Sequence, residues 1–198
     1  MARYKGPKDR LSRREGFDLF GKGSKLTRLT VPPGMHGPKG TRKGSQYLRQ
    51  LREKQKVKRL YGLLEKQFRK YADKALESKG STGAELLSLL ESRLDNTIFR
   101  LGFVPTRFAA RQLVSHRHVI IDGKKVNIPS YQVVIGEAIN LTAKAMEIPA
   151  IKKHLQEEIK LPSWLARKGA VGKVIAKPKR EDITEPVSEQ DIVEFYSR

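Results

Sequence analysis

The clearest pattern along the chain is an apolar stripe at the helical period near its middle. The stripe consists of Leu86, Leu87, Leu90, Leu94, Ile98 and Leu101. Apolar residues spaced by three or four positions lie on one face of a helix, and they predict that this face is buried. Thr82 and Glu85 form a capping box before the stripe, and Gly102 is a typical stop after it. The pattern therefore predicts one long helix that joins an N-terminal helical region to the centre of the chain.

A second, shorter helix is predicted after Pro105, with Thr106 as its N-cap. The sequence HVIIDGKKVNI then surrounds Asp122 and Gly123 with two β-branched runs, which is a strong signal for a β-hairpin. Two further strands are predicted, one buried within VVIGEAINL after Tyr131 and one in VGKVIAK. The chain is therefore expected to be α+β, with helices packed on a small, mainly antiparallel sheet.

The two flanks of this central region are predicted to be helical. Residues 45–79 have a helical pattern with Ser45 as a candidate N-cap and a break near Val57. Its inward positions are Leu48, Leu51, Leu60, Leu64, Phe68 and Tyr71. At the other end, Ser188 and Asp191 are expected to cap a short helix with an apolar face of Ile192, Phe195 and Tyr196. A terminal helix with such a face is expected to dock against another element.

Charge indicates the type of partner. The 198 residues include 41 Lys and Arg against 21 Asp and Glu, a formal net charge of +20. Residues 1–80 hold 23 basic and 7 acidic side chains, so +16 of this charge lies there. Such an imbalance favours a polyanionic partner, either nucleic acid or an anionic membrane surface. No apolar run is long enough to span a bilayer, and MARYKGPKDR lacks the apolar core of a secretory signal, so the cytosol is the expected compartment.

Residues 1–44 form a basic segment with few apolar side chains. Lys and Arg alternate with Gly, Pro and Ser, so the segment is expected to become ordered only against a partner. A plain disordered tail is the alternative, but Phe17, Leu19 and the Pro32-Pro33 pair indicate some anchoring and defined turns. The stretch GPKGTRKGS does not have the Walker spacing, so nucleotide binding is not expected.

Basic side chains recur on the polar faces of the central helices. Arg93 and Arg100 lie off the apolar stripe, and Arg107 and Arg111 are one turn apart at the start of the next helix. Cations near a helix N-terminus are mildly unfavourable unless an anion such as phosphate binds there. In the helical region, six cations between Arg49 and Arg59 repel each other, so the free protein is expected to gain nothing from them.

Other chemistries are less well supported by the sequence. His116 and His118 are two residues apart at the start of a strand and are expected to point to the same side, but no third ligand accompanies them, so no metal is assigned. Asp95 is interpreted as a partner of nearby arginines on the helix surface, and Asp122 as a turn residue. The chain has no cysteine and no G-x-S-x-G motif, and no acid pair or catalytic triad can be argued from spacing. Neither catalysis nor a cofactor is expected.

The segments YGLLEKQFRKY, SRLDNTIFRLGF, PTRFAARQLVSHRHV, VNIPSYQV and PVSEQDIVEFYSR, in this order, resemble the bacterial S4 family of small-subunit ribosomal proteins almost from end to end. The resemblance implies three parts: a basic RNA-binding arm (1–44), a discontinuous helical domain (45–90 with 187–198) and an S4-type RNA-binding domain (91–186). Many members place zinc-binding cysteines near the RREG motif. Here Asp9 and Ser12 stand in that region, so the resemblance implies a metal-free form.

The resemblance implies a structural protein that binds small-subunit ribosomal RNA early in assembly of the subunit body. It also implies contact with neighbouring ribosomal proteins, chiefly S5, a position near the messenger RNA entry region and an influence on accuracy. The alternatives are a free-standing RNA-binding factor and a pseudouridine synthase-like protein; no membrane and no small-molecule substrate is expected. The predicted RNA contacts are Arg3, Arg13, Arg14 and His36 in the arm, then Arg49, Arg52, Lys54, Lys56, Lys58, Arg59 and Arg69, and finally Arg93, Arg100, Arg107, Arg111, His116, Arg117, His118, Lys124, Lys125 and Tyr131. Replacing Arg107 and Arg111 with Glu is expected to weaken RNA binding and leave folding intact.

Overall fold

The structure is a computed structural model that describes residues 4–39, 44–157 and 159–197. The chain divides into two compact units, Met1–Gly83 with Pro186–Arg198, and Ala84–Glu185. Within the described ranges, no helix has the length and apolar character needed to cross a membrane.

The first unit is helical. It contains α1 (Lys8–Glu15), α2 (Gln46–Leu60), α3 (Glu65–Leu76) and α9 (Glu189–Tyr196), with 3₁₀ turns at Gly23–Lys25 and Gly37–Lys39. Ser45 caps α2 as predicted, because its side chain accepts a hydrogen bond from the Leu48 amide at 3.3 Å.

Two helices with a break between them are present as predicted, but the break comes after Leu60 and not at Val57. Val57 is fully buried inside an uninterrupted α2, and the helix ends at Leu60. The chain turns instead at Gly62, which adopts φ 62°, a left-handed conformation that glycine accepts without strain. Leu48 and Leu64 were expected to face inward but are exposed, since Leu48 lies in the first turn of α2 and Leu64 just before α3.

The C-terminal helix α9 packs on α2 and α3. Its apolar face is held by aromatic contacts, with the Phe195 ring 5.8 Å from Tyr47 and the Tyr196 ring 6.0 Å from Phe68. The Tyr196 hydroxyl also donates to Glu65 at 2.9 Å. Ser188 occupies the N-cap position before Glu189, as predicted, but its side chain accepts no capping hydrogen bond. Asp191 is buried and pairs with Arg49 at 3.1 Å.

The second unit contains helices on a five-stranded antiparallel sheet. The helices are α4 (Thr82–Glu91, which starts in the first unit), α5 (Leu94–Arg100), α6 (Arg107–Ser115), α7 (Ala143–Met146) and α8 (Pro149–Gln156), with a 3₁₀ turn at Arg180–Asp182. The strands are β1 (Val119–Ile121), β2 (Lys124–Val126), β3 (Ala138–Leu141), β4 (Leu165–Lys168) and β5 (Val171–Val174), in the order β2-β1-β3-β5-β4. The α+β prediction is confirmed.

Local signals in this unit agree with the sequence. Thr106 caps α6 by accepting from the Ala109 amide at 3.2 Å, and Asp122-Gly123 turns the β1–β2 hairpin, in which Ile121 pairs with Lys124. The strand predicted in VVIGEAINL is limited to its last four residues. Val134 and Ile135 are exposed because the chain turns at Gly136, with φ 97°.

The predicted long helix is interrupted, and the reason is tertiary. Helix α4 ends at Glu91, and Arg93 has extended backbone angles before α5 starts at Leu94. The neighbouring loop supplies the backbone hydrogen bonds that a continuous helix would have made. The Leu94 amide donates to the Tyr131 carbonyl at 2.8 Å, and the Val133 amide donates to the Ser92 carbonyl at 2.9 Å.

The core of the second unit lies between α5, α6 and the sheet, and includes Ile98, Phe103, Val114, Ile139 and Trp164. Alternate strand residues face this core, which explains the buried Val119 and Ile121 on β1. At the end of the unit, Glu185 clamps the two helices together. Its carboxylate binds Arg100 of α5 at 2.8 Å and Arg107 of α6 at 2.7 Å.

The Glu185 clamp predicts acid-dependent stability. Burial opposes ionisation, but Arg107 and Arg100 outweigh it and lower the pKa of Glu185 from 4.5 to about 2. The clamp therefore stabilises the fold above pH 4.5, and this contribution is lost as the pH falls through about 2. We expect Glu185→Gln to lower the free energy of unfolding at pH 7 by about 3 kcal/mol.

Unfolding in urea between pH 7 and pH 2 tests this prediction, with the fluorescence of Trp164 as the signal, because this single tryptophan is 1 % exposed in the same core. The stability difference between the wild type and Glu185→Gln should shrink below pH 4.5. Glu181→Gln, at an exposed position in the same segment, is the control and should have little effect. A difference that does not change with pH would contradict the assignment.

Candidate nucleic-acid interface

The central arginines that the sequence assigned to an RNA-contacting face form a buried ion network. Arg93 and Arg111 share the Asp95 carboxylate, with distances of 2.8 and 2.7 Å to Asp95 Oδ2. Arg93 is 1 % exposed, Asp95 4 % and Arg111 7 %. The expectation that Arg93 and Arg111 project from the surface is therefore wrong, as is the surface location expected for Asp95. A planar guanidinium can be buried in this way because its donor fork matches a carboxylate.

A second set of contacts continues this network. Arg100 binds Glu91 through two hydrogen bonds of 2.8 Å, and it also binds Glu185. Arg107 donates to Asn96 at 2.8 Å and to Glu185, and its guanidinium lies 4.5 Å from the centre of the Phe99 ring. Arg100 and Arg107 do lie together, but both side chains are largely buried. Their charges hold α5 against α6.

A surface groove in the second unit has the character expected of an anion site. The groove, of about 520 Å³, lies at the end of α6 and is lined by His116, Arg117, His118, Ile120, Lys125 and Lys144, with Thr142 and Ala143 between them. No carboxylate is among the residues that line it. His116, Arg117, Lys125 and Lys144 are exposed, so their polar groups can reach a ligand.

The chain geometry explains how these side chains come together. The His118 and Arg117 amides donate to Leu113 and Val114 and end α6, with Arg117 at φ 62°. The rings of His116 and His118 lie 6.3 Å apart and both line the groove, as predicted for side chains on one side. On the sheet, Ile120 is opposite Lys125, and this pair alternates with the buried Val119 and Ile121. Lys125 therefore lies on the outer face, beside the histidines.

The sequence reasoning missed Lys144. Thr142 caps α7 by accepting from the Ala145 amide at 3.3 Å, and this places Lys144 in the first turn beside the groove. The signal in the sequence was a Thr, a typical N-cap residue, followed by a basic residue two positions later. Lys124, which was predicted, is exposed but pairs with Ile121 and does not line the groove.

Tyr131, also predicted as a contact, is half-buried and its hydroxyl donates to Glu137. The hydrogen bond to this carboxylate, together with burial, raises the pKa of Tyr131 to about 12. Its polar group is thus engaged within the loop that follows it.

In the first unit, the cations of α2 have acidic partners, so the expectation that they only repel is wrong. Each of the six predicted cations on this helix pairs with a carboxylate: Arg49 with Asp191, Arg52 and Arg59 with Glu15, Lys56 with Glu53, and Lys54 and Lys58 with Glu65. The acids come from α1, α3, α9 and α2 itself. Lys54 is buried, and its ammonium also lies 4.7 Å from the centre of the Phe195 ring. Arg69 pairs with Asp73 at 4.0 Å on an exposed face of α3.

The basic arm has a defined path over residues 4–39. Helix α1 packs on α2, and the Arg13 guanidinium donates to the carbonyls of Val31 and Pro32 at 2.9 and 3.1 Å. Helix α1 and the turns after it thus have contacts within the chain, while the expectation that the segment becomes ordered only against a partner stays a prediction. Arg14 and His36 are exposed, whereas Arg3 lies outside the described residues.

Comparison of the sequence with known proteins identifies its family. Residues 3–91 match the family described as ribosomal protein S4/S9 N-terminal domain, and residues 92–139 match the S4 domain. Over its full length the chain is similar to proteins named small ribosomal subunit protein uS4. It is 51 % identical to that of Trichlorobacter lovleyi, 50 % to that of Citrifermentans bemidjiense and 49 % to that of Parabacteroides distasonis, and each alignment covers 100 % of both chains.

The two family matches together cover residues 3–139, and the relatives align with the whole chain at about 50 % identity. The chain belongs to the family of small ribosomal subunit protein uS4.

Proposed function

We propose that the protein is a structural component of the small ribosomal subunit that binds small-subunit ribosomal RNA directly and acts without catalysis. The observation that carries the RNA-binding part is the carboxylate-free groove at the end of α6, in a chain of net charge +20. Phosphate groups neutralise exposed Lys and Arg and release bound counterions, which favours association. An RNA backbone is therefore the ligand that best fits the groove.

Buried and exposed cations have different roles in this proposal. Arg93, Arg100, Arg107 and Arg111 hold α5 and α6 in one geometry, and the α2 cations hold α1, α3 and α9. Exposed cations then contact phosphate. In the second unit these cations are Arg117, Lys125 and Lys144, with the His116 and His118 rings beside them; in the arm, Arg14 is exposed, as is the His36 side chain. A-form RNA hides its major groove, so a rigid arrangement of donors selects RNA by shape.

The finer roles rest on the family resemblance. We propose contacts with neighbouring ribosomal proteins, chiefly S5, and a position near the messenger RNA entry region with an influence on accuracy. We propose that the protein acts in the ribosome, in the cytoplasm. Sedimentation tests the assembly role, because a structural component remains with small subunits washed in high salt, whereas a transient factor is released.

The groove predicts which lysines matter for RNA affinity. Lys125→Glu with Lys144→Glu should weaken binding to a small-subunit ribosomal RNA transcript by about 3 kcal/mol or more, because charged hydrogen bonds contribute roughly 1.5–3 kcal/mol each. The slope of log affinity against log salt should also flatten by about 0.7–0.9 for each lost phosphate contact. Filter binding across a salt series measures both quantities.

The matched control is Lys152→Glu with Lys153→Glu, two exposed lysines on α8 that do not line the groove but give the same change in net charge. Equal loss of affinity in the two double variants would show that only net charge matters, and the groove would not be the site.

The ion network reverses the expectation for Arg107 and Arg111. Replacing both with Glu places new carboxylates beside Asp95 and Glu185, whose charges are then buried without these partners. Breaking a buried pair typically costs about 3–5 kcal/mol, so the variant should be strongly destabilised. Urea unfolding followed by Trp164 fluorescence measures the loss. The exposed Lys124→Glu is the control, and a double variant as stable as this control would refute the structural role.

A further inference from the structure

A second cavity lies beside the basic groove and shares residues with it. It holds about 220 Å³, and His116 and His118 line both spaces. This volume is below the roughly 300–1,000 Å³ of pockets that take drug-sized ligands. An occupant is therefore small, of the size of one ring system.

The walls of this cavity are apolar and come from two helices. Leu113 of α6 and Ile151 of α8 are buried and line it together with the buried Val104. Ala109 and Ala150 leave space on the two sides because their side chains are short. No charged carboxylate or ammonium group is among its lining residues, so the cavity itself does not favour an ion.

The polar groups of the cavity lie at its edge. Gln112 is exposed on α6 and carries an amide that can both donate and accept hydrogen bonds. The His116 and His118 rings stand at the boundary with the groove, where Arg117 and Lys144 follow. An occupant that suits the whole arrangement has a flat apolar body, a polar edge and a phosphate attached nearby.

We propose that the cavity binds the base of one unpaired RNA nucleotide while the phosphates next to it lie in the basic groove. This inference rests on the proposed function, and it identifies single-stranded RNA as the chemical class that the end of α6 recognises. Unstacked bases stack on aromatic side chains such as histidine and are read at their edges by amides. A base within a duplex is stacked and paired, so it does not enter the cavity.

The groove decides between RNA and a protein partner. A protein side chain such as leucine or phenylalanine also fills a small apolar cavity, but it brings no phosphate to Arg117, Lys125 and Lys144. Charge complementarity therefore favours the nucleotide. A protein occupant is retained as an outcome of the test.

The experiment compares two probes of equal charge on the full chain, a single-stranded RNA decamer of adenylates and an abasic decamer with the same backbone. The wild type should bind the adenylate decamer more tightly, by about 5-fold to 100-fold if one base is stacked. Ala150→Leu fills the cavity from its exposed rim and should remove most of this preference without weakening the abasic probe. Ala166→Leu, at an exposed alanine of β4 outside the cavity, is the matched control and should retain the preference.

Gln112→Leu is the second variant if Ala150→Leu does not fold, since Gln112 is exposed and its loss removes the edge contact. An unchanged preference for bases in either folded variant would overturn the inference. So would an Ala150→Leu protein that keeps the preference but no longer retains another ribosomal protein in reconstituted subunits, because the occupant would then be protein. The proposed function fails separately, if the wild type does not bind the ribosomal RNA transcript at all.

Discussion

The shared Asp95 carboxylate is the interaction on which the geometry of the second unit depends. Asp95 lies in the first turn of α5 and receives Arg93 from the preceding residues and Arg111 from α6. Each ion would be costly to bury alone, since the desolvation of one charge is several kcal/mol. The three groups are therefore buried only when α5 and α6 have the observed relation. The same residue accepts from the Asn96 amide at 3.0 Å, which ties the carboxylate to the start of its helix.

The ion pairs of Asp95 also affect the candidate interface, because the groove lies directly after the end of α6. Arg111 is one turn before Ser115, the last residue of α6. Its ion pair with Asp95 therefore orients the end of the helix, and with it His116 and Arg117, which line the groove. Glu185 adds a second point of attachment on Arg107, at the other end of α6. Ion pairs therefore hold this nine-residue helix at its first residue and at its middle, so the fold itself positions the end of α6 where the groove lies. Preorganised donors lose less entropy on binding than mobile ones do.

Local features of the fold could be predicted from the sequence, and long-range ones could not. The caps at Ser45 and Thr106 and the hairpin at Asp122 depend on residues within a few positions, and all three are present. The interruption between α4 and α5 depends on the loop near Tyr131, more than thirty residues further along the chain. The helical spacing of Leu90 and Leu94 correctly predicts that both are buried. The same spacing is found whether the helix is continuous or a short extended segment separates the two residues, so the pattern does not reveal the interruption.

The same limit explains the errors over charge. Spacing placed Arg107 and Arg111 on one helical face, which is correct, but it could not reveal that Glu185 and Asp95 cover that face. Glu185 lies 85 positions after Arg100 in the chain, and Asp191 lies 142 positions after Arg49. Positive charge in a sequence thus predicts the type of partner for the whole protein, while the carboxylates supplied by the fold determine which cations remain available to it.

Arg117 illustrates how the available cations can be recognised in the structure. A non-glycine residue at φ 62° costs about 1–2 kcal/mol relative to an ordinary conformation, and the end of α6 would be satisfied equally well by glycine. Gly62 and Gly102 occupy comparable left-handed positions after α2 and α5 without such a cost. Arg117 occupies the corresponding position after α6. Its side chain makes no ion pair among the described residues that would compensate for this cost, but it adds positive charge to the rim of the groove. The backbone cost at Arg117 therefore supports the proposed contact with an anionic partner at this end of α6.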